Sequence, residues 1–156
     1  MYQKVLVPLD KSKESERVLS TVQELLSPNG EVILLHVIST VFIGVGDTAE
    51  NIALGSRRRR AERNQALAYL ERVVNRVGEG SGRWRCEVAV STSAAKGIVD
   101  FAVKEQVDLI AMYTHGRKGL AKLFKRSVTQ KVQKRASTEV CVVRMSEVAT
   151  GRSTQP

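Results

Sequence analysis

The sequence predicts an α/β protein built on an open five-stranded parallel sheet, strand order 3-2-1-4-5, with helices on both faces. Three observations lead there. Short apolar, β-branched runs alternate with helical patterns along the chain, as parallel strands joined by crossover helices require. Glu31–Ile38 (EVILLHVI) is almost wholly apolar, as a strand buried on both faces must be. Parallel neighbours also need right-handed crossovers, and with a helix or long connection after every strand this order is the simplest solution. A length of 156 residues suits one such domain, which buries roughly 70% of the surface of its unfolded chain. The domain is expected over 1–146, with 147–156 as a disordered C-terminal tail.

Each element has its own warrant. Lys4–Leu9 (KVLVPL) is the first strand and leads to Asp10 and a turn containing serine and lysine. Glu14–Leu26 is a helix because Val18, Leu19, Val22, Leu25 and Leu26 fall on one stripe. Pro28-Asn29-Gly30 stops it, and Glu31–Ile38 follows as the second strand. Ser39–Gly55 sets Val41, Phe42, Ile43 and Val45 among glycines without a period, and reads as a mobile flap or a partner-contacting loop. Ser56–Val77 carries the longest helical pattern, with Ala61, Ala66, Leu67, Leu70, Val73, Val74 and Val77 on its buried side. Gly78, Gly80 and Gly82 end it. Trp84–Val90 alternates and reads as a strand with one wetter face. Ala95–Glu105 is a short helix, Leu109–Met112 the fourth strand, Ser127–Ala136 the last helix and Glu139–Arg144 (EVCVVR) the last strand.

Composition narrows the function. Lys and Arg total 25 against 16 Asp and Glu, a net charge of +9, which favours anionic partners without naming one. No run approaches the ~20 apolar residues of a membrane helix, and MYQKVLVPLD lacks the features of a signal peptide. A cytoplasmic location and no membrane partner are therefore expected. Cys86 and Cys141 lie in apolar stretches and match no metal-ligand spacing, so both are expected to be ordinary buried thiols. Gly44–Ala49 satisfies G-x-G-x-x-A, but it stands outside a strand-to-helix turn and no acidic residue follows at the required distance. There is no P-loop motif.

In a sheet of this order, ligands bind outside the carboxyl ends of the strands where the winding reverses, between the first and fourth strands. That places the Asp10 turn and Tyr113–Lys125 together. Ser127 and Gln130 form S-x-x-Q, a capping box that would start the last helix, and a helix start offers free N–H groups to a phosphate. The same donors serve either role, and Asp10 is equally a routine turn residue. His36 reads as a hydrogen-bonded core residue. His115 has no Cys, Asp or Glu nearby in sequence to make a triad, so no catalytic residue is assigned.

Two basic clusters remain. Arg57–Arg60 with Arg63 opens the long helix, and four consecutive arginines point all round it, so at least one should face the core side and snorkel or find a carboxylate. Between Arg117 and Arg135 lie Lys118, Lys122, Lys125, Arg126, Lys131 and Lys134 and no acid. No aromatic platform or nucleic-acid motif accompanies that run, so it is read as a solvated face or a rim attracting phosphates, and a nucleic-acid partner is not expected. Val140, Cys141, Val142 and Val143 would form an apolar edge strand. Antiparallel pairing of Glu139–Arg144 across a two-fold axis would give a homodimer.

The segments VPLDKSKESERVL, ILLHVI, VDLIAMYTHGRKGLAKLF and RSVTQKVQKRASTEVCVVR occur in that order. On them the chain resembles the universal stress protein family over nearly all of Met1–Arg144. The resemblance implies an adenine nucleotide alpha hydrolase-like fold and a cytoplasmic, dimeric stress-response module. It further implies a module that binds ATP, with Mg, or another adenine nucleotide, acts through a protein partner, and hydrolyses ATP slowly at most. Leu9 and Asp10 would then close the first strand at the ligand, with Asp10 on the ribose hydroxyls. Val37 would meet the adenine and Met112 would line the base pocket, while Gly116, Arg117, Arg126, Ser127 and Val128 would surround the phosphates.

Nucleotide-binding members of the family carry Gly-x2-Gly-x9-Gly-Ser/Thr. Here those positions fall on Tyr113, Gly116, Arg126 and Ser127, so the second glycine and the hydroxyl match. Glycine lets backbone N–H groups approach phosphate closely. Arg126 either fills that space or binds phosphate through its guanidinium. The alternative is a nucleotide-free interaction module with Arg126 in the phosphate site.

Overall fold

The computed structural model describes residues 1–40, 49–77, 82–114 and 122–144, with Asn51 and residues 122–127 as backbone. The expectations for Phe42, the G-x-G-x-x-A run, His115, Gly116, Arg117 and the C-terminal tail lie outside the described residues. Strands β1 (Tyr2–Pro8), β2 (Leu26–Ser39), β3 (Arg83–Ser91), β4 (Leu109–Thr114) and β5 (Glu139–Arg144) alternate with helices α1 (Val18–Leu25), α2 (Ala49–Val77), α3 (Ala94–Glu105) and α4 (Lys122–Arg135). A 3₁₀ turn, Ser15–Arg17, precedes α1. The sheet runs β3-β2-β1-β4-β5, and its four pairings are all parallel. The predicted fold class and strand order hold.

Successive strand residues point to opposite faces, so the central strands feed two cores. On one face Val5, Val7, Val32, Leu34 and Ala111 pack with Val18 and Val22 of α1 and Ala66, Leu70 and Val73 of α2. On the other, Leu6, Ile33, Leu35, Ile110 and Met112 pack with Ile98 and Ala102 of α3 and Val132 of α4. At the amino end of the sheet, Arg85 lies 3.6 Å from Glu31 and 3.7 Å from Glu87 and also pairs with Glu105. The Arg85 guanidinium holds the Glu105 carboxyl below its ordinary range. These contacts close the end of the molecule away from the strands' carboxyl termini.

Several boundaries differ from the sequence reading, each for a physical reason. Helix α1 ends at Leu25 because Leu26 turns extended, with ψ at 137°, and pairs at once with Tyr2 of β1. Pro28-Asn29-Gly30 is therefore not the stop; it lies within β2 at a register shift. Gly30 is needed there, since a Cβ would stand 2.6 Å from Leu26 Cδ1.

Helix α2 begins at Ala49, so the end of the expected flap is helical. Ala61 is exposed, and the buried stripe of α2 starts only at Ala66. Arg57, Arg58, Arg59 and Arg60 are all exposed, which corrects the expectation that one of them faces the core. Arg58 pairs with Glu62 at 3.4 Å, and Arg63 donates to the Val88 carbonyl at 3.0 Å. Helix α4 starts at Lys122, because Lys-Leu-Phe-Lys-Arg contains no residue that opposes a helix. Ser127 therefore lies inside α4, and the capping-box reading is corrected. Cys86 and Cys141 are half-buried rather than buried, and burial with the charges of Glu71 and Glu87 pushes the Cys86 thiol up.

Candidate functional site

Strand β1 stops early. It ends at Pro8, while its neighbours run on to Ser39 in β2 and Thr114 in β4. The Leu9 N–H still reaches the Leu35 carbonyl at 2.8 Å, but Lys11 then takes φ of 66° and turns the chain away. The gap left beyond β1 is a notch between β2 and β4, where the predicted topology puts a ligand.

The turn is held by its own side chains. Asp10 Oδ1 accepts from the Ser12 N–H at 3.1 Å and from the Ser12 hydroxyl. Ser12 Oγ in turn accepts from the Ser15 N–H at 3.2 Å, and Ser15 Oγ donates to the Ser12 carbonyl at 2.8 Å. Asp10 is thus an Asx-turn residue, and it remains exposed at the mouth of the notch. His36 Nδ1 lies 2.8 Å from the Leu9 carbonyl. A carbonyl only accepts, so Nδ1 carries the proton and donates.

A cavity of about 120 Å³ occupies the notch. Val37 from β2, Met112 from β4, Ile98 from α3 and Val128 from α4 give it apolar walls, while Asp10, Ser12, Ser15, His36 and Thr129 supply polar groups. Gly97 sets one wall. A Cβ there would lie 2.6 Å from Val37 Cγ1 and 3.0 Å from the Ser91 Cβ, so α3 can lie this close to β2 only with glycine at that position.

Of the expected site residues, Leu9, Asp10, Val37, Met112 and Val128 line this one cavity. Gly116 and Arg117 lie outside the described residues. Arg126 and Ser127 are on α4 just before Val128. Tyr113, at the first glycine position of the family motif, also lines the cavity. Sequence reasoning missed Ser12, Ser15 and Thr129 and assigned His36 to the core alone. The D-x-S spacing of Asp10 and Ser12 was a readable turn signal; Thr129 carried none. Among the described residues no group of three or more His, Cys, Asp or Glu is arranged to hold a metal.

Residues 1–144 match the model of the Universal stress protein family. The chain belongs to that family. It is 27% identical over 155 residues to universal stress protein MJ0577 of Methanocaldococcus jannaschii, covering 92% of this chain and 96% of the relative. The solved structure of MJ0577 matches at a TM-score of 0.78 and 28% identity, covering 94% of this chain and 99% of that one. A universal stress protein solved in complex with cAMP shares the fold at a TM-score of 0.62 and 20% identity, over 93% of this chain and 98% of its own. A universal stress protein family protein from Arabidopsis thaliana, solved with AMP bound, does so at 0.59 and 15%, over 97% of each chain. The family and fold expected from those four segments are thereby established. Among the described residues, no helix of this universal stress protein domain is long and apolar enough to cross a membrane.

Proposed function

We propose that this universal stress protein binds an adenine nucleotide in the notch beyond β1 and acts as a cytoplasmic, dimeric stress-response module through a protein partner rather than by turnover. The observation that carries the reading is that Asp10, Val37, Met112 and Val128 line one cavity at the reversal of winding. Its apolar walls suit a flat base, and the Asp10 carboxylate at the mouth suits ribose hydroxyls as an acceptor. Lys122, Lys125 and Arg126 precede Val128 on α4, and basic residues at that place in the chain would suit phosphates. With ATP, magnesium would enter on the phosphates. The cAMP and AMP complexes of fold neighbours support the ligand class.

Calorimetry with ATP, ADP, AMP and cAMP, with and without magnesium, tests this. At least one nucleotide should give heat and raise the melting temperature; neither effect at millimolar concentration would overturn the reading. Asp10→Ala should weaken binding by roughly tenfold or more, since hydrogen bonds to a charged group are worth about 1.5–3 kcal/mol. If Arg126→Gly instead creates affinity that the natural chain lacks, the nucleotide-free interaction module is the correct description.

Dimerisation is proposed through β5. It is the last strand of the sheet, and Val140, Cys141, Val142 and Val143 are only half-buried in one chain. Antiparallel pairing across a two-fold axis would cover that edge. Sedimentation at micromolar concentration should report twice the chain mass, and a monomer would refute the pairing.

A further inference from the structure

Helix α2 is 29 residues long, yet it uses barely half its length to cover the sheet. Its buried residues are Ala66, Leu70 and Val73. From Ala49 to Ala61, every residue whose side chain is described is exposed except Gly55, which is half-buried. At ~1.5 Å per residue this is about 20 Å of helix without core contact. The arm leads away from the Arg63 contact to the Val88 carbonyl and stands at the end of the sheet that carries the notch.

The arm's charge is arranged around it. Consecutive helical residues are about 100° apart, so Arg57, Arg58, Arg59 and Arg60 project on all sides. Glu62 pairs with Arg58; among the described residues no carboxylate lies within ion-pair distance of Arg57, Arg59 or Arg60. A flat partner, whether a membrane or an acidic protein face, meets only the side turned towards it. A membrane also needs one apolar face, whereas the exposed Ile52 and Leu54 fall on opposite sides of the helix. A groove with phosphates on both walls matches charge all round a cylinder, and the major groove of a duplex, about 12 Å wide, admits an α-helix.

We infer that the amino-terminal arm of α2 binds duplex nucleic acid in a groove, through phosphates and without reading sequence. The arm carries no aromatic residue to stack on bases and no recognised nucleic-acid motif, and phosphate contacts need neither. The net charge of +9 favours the encounter, and the arm directs it.

The test is fluorescence anisotropy of a labelled, mixed-sequence DNA duplex between 50 and 200 mM salt. The natural chain is compared with an R57Q/R59Q/R60Q variant and with a K131Q/K134Q/R135Q variant, which removes the same charge from the exposed face of α4. Circular dichroism and melting should show both variants folded, because none of these residues is buried. The arm variant should bind roughly tenfold more weakly at 50 mM salt. Its slope of log affinity against log salt should flatten by about 2.7, the effect of three lost phosphate contacts. The α4 variant should change far less. Equal weakening by the two variants would reduce the effect to net charge and overturn the proposal, and so would unchanged binding by the arm variant. If the arm variant loses binding to phosphatidylserine vesicles and not to duplex, the partner is a membrane and the proposal fails.

Discussion

Leu34→Ala should cost about 2–5 kcal/mol of stability, the range for truncating a fully buried leucine. Leu34 has no exposed surface. It sits in β2 between Val7 of β1 and Cys86 of β3 and packs in the core that receives α1 and α2. Backbone pairing on both sides holds β2 in place, so the surrounding side chains cannot collapse far into the space left behind. For a domain of this size each kcal/mol shifts the melting temperature by about 2–4 °C, so a fall on the order of 10 °C is expected by circular dichroism. Val103→Ala on α3, where the side chain is largely exposed, is the matched control and should move the midpoint by no more than about 2 °C. A Leu34→Ala midpoint within that same margin would contradict the two-core description of the sheet.

The parts of the fold readable from sequence are those that bury a pattern. The almost wholly apolar run of β2 and the crossover after each strand pointed to the sheet order, because a doubly covered parallel sheet leaves few alternatives. Helix ends were legible only where the helix packs. Among the described side chains of Ala49–Ala61 none enters the core, so they leave no period to detect, and the expected flap took part of their place. The start of α4 was placed at Ser127 because S-x-x-Q is a valid cap pattern, but Lys122–Arg126 are helix-compatible and simply continue the helix upstream.

The candidate site divides in the same way. Asp10, Val37 and Met112 followed from topology and family resemblance, since the reversal of winding defines where strands open to a ligand. His36 did not, because period-two reasoning puts it on the face of β2 opposite Val37. The last pair of β1 and β2 is Pro8 with Leu35. Beyond it no strand separates the two faces, so His36 and Val37 both reach the notch. Ser12 and Ser15 arrive there through the hydrogen bonds of one turn, which depend on Lys11 adopting a left-handed backbone, a conformation that lysine does not advertise.

Gly97→Ala should damage the site out of proportion to its size. The added methyl would meet Val37 Cγ1 at 2.6 Å and the Ser91 Cβ at 3.0 Å, and both belong to sheet residues with little freedom to retreat. Val37 is β-branched and stiff at χ1, so relief must come from moving α3 outward or driving Val37 into the cavity. Overpacking of this kind costs about 1–3 kcal/mol. Either movement alters the wall formed by Val37 and Ile98. Nucleotide affinity should therefore fall by more than tenfold while the fold survives. Val73→Ala, in the core on the other face of the sheet, provides the comparison: it should lose similar stability and keep its affinity. If both variants lose affinity together, the loss reflects general destabilisation. If Gly97→Ala binds as the natural chain does, the close approach of α3 to β2 does not shape the pocket.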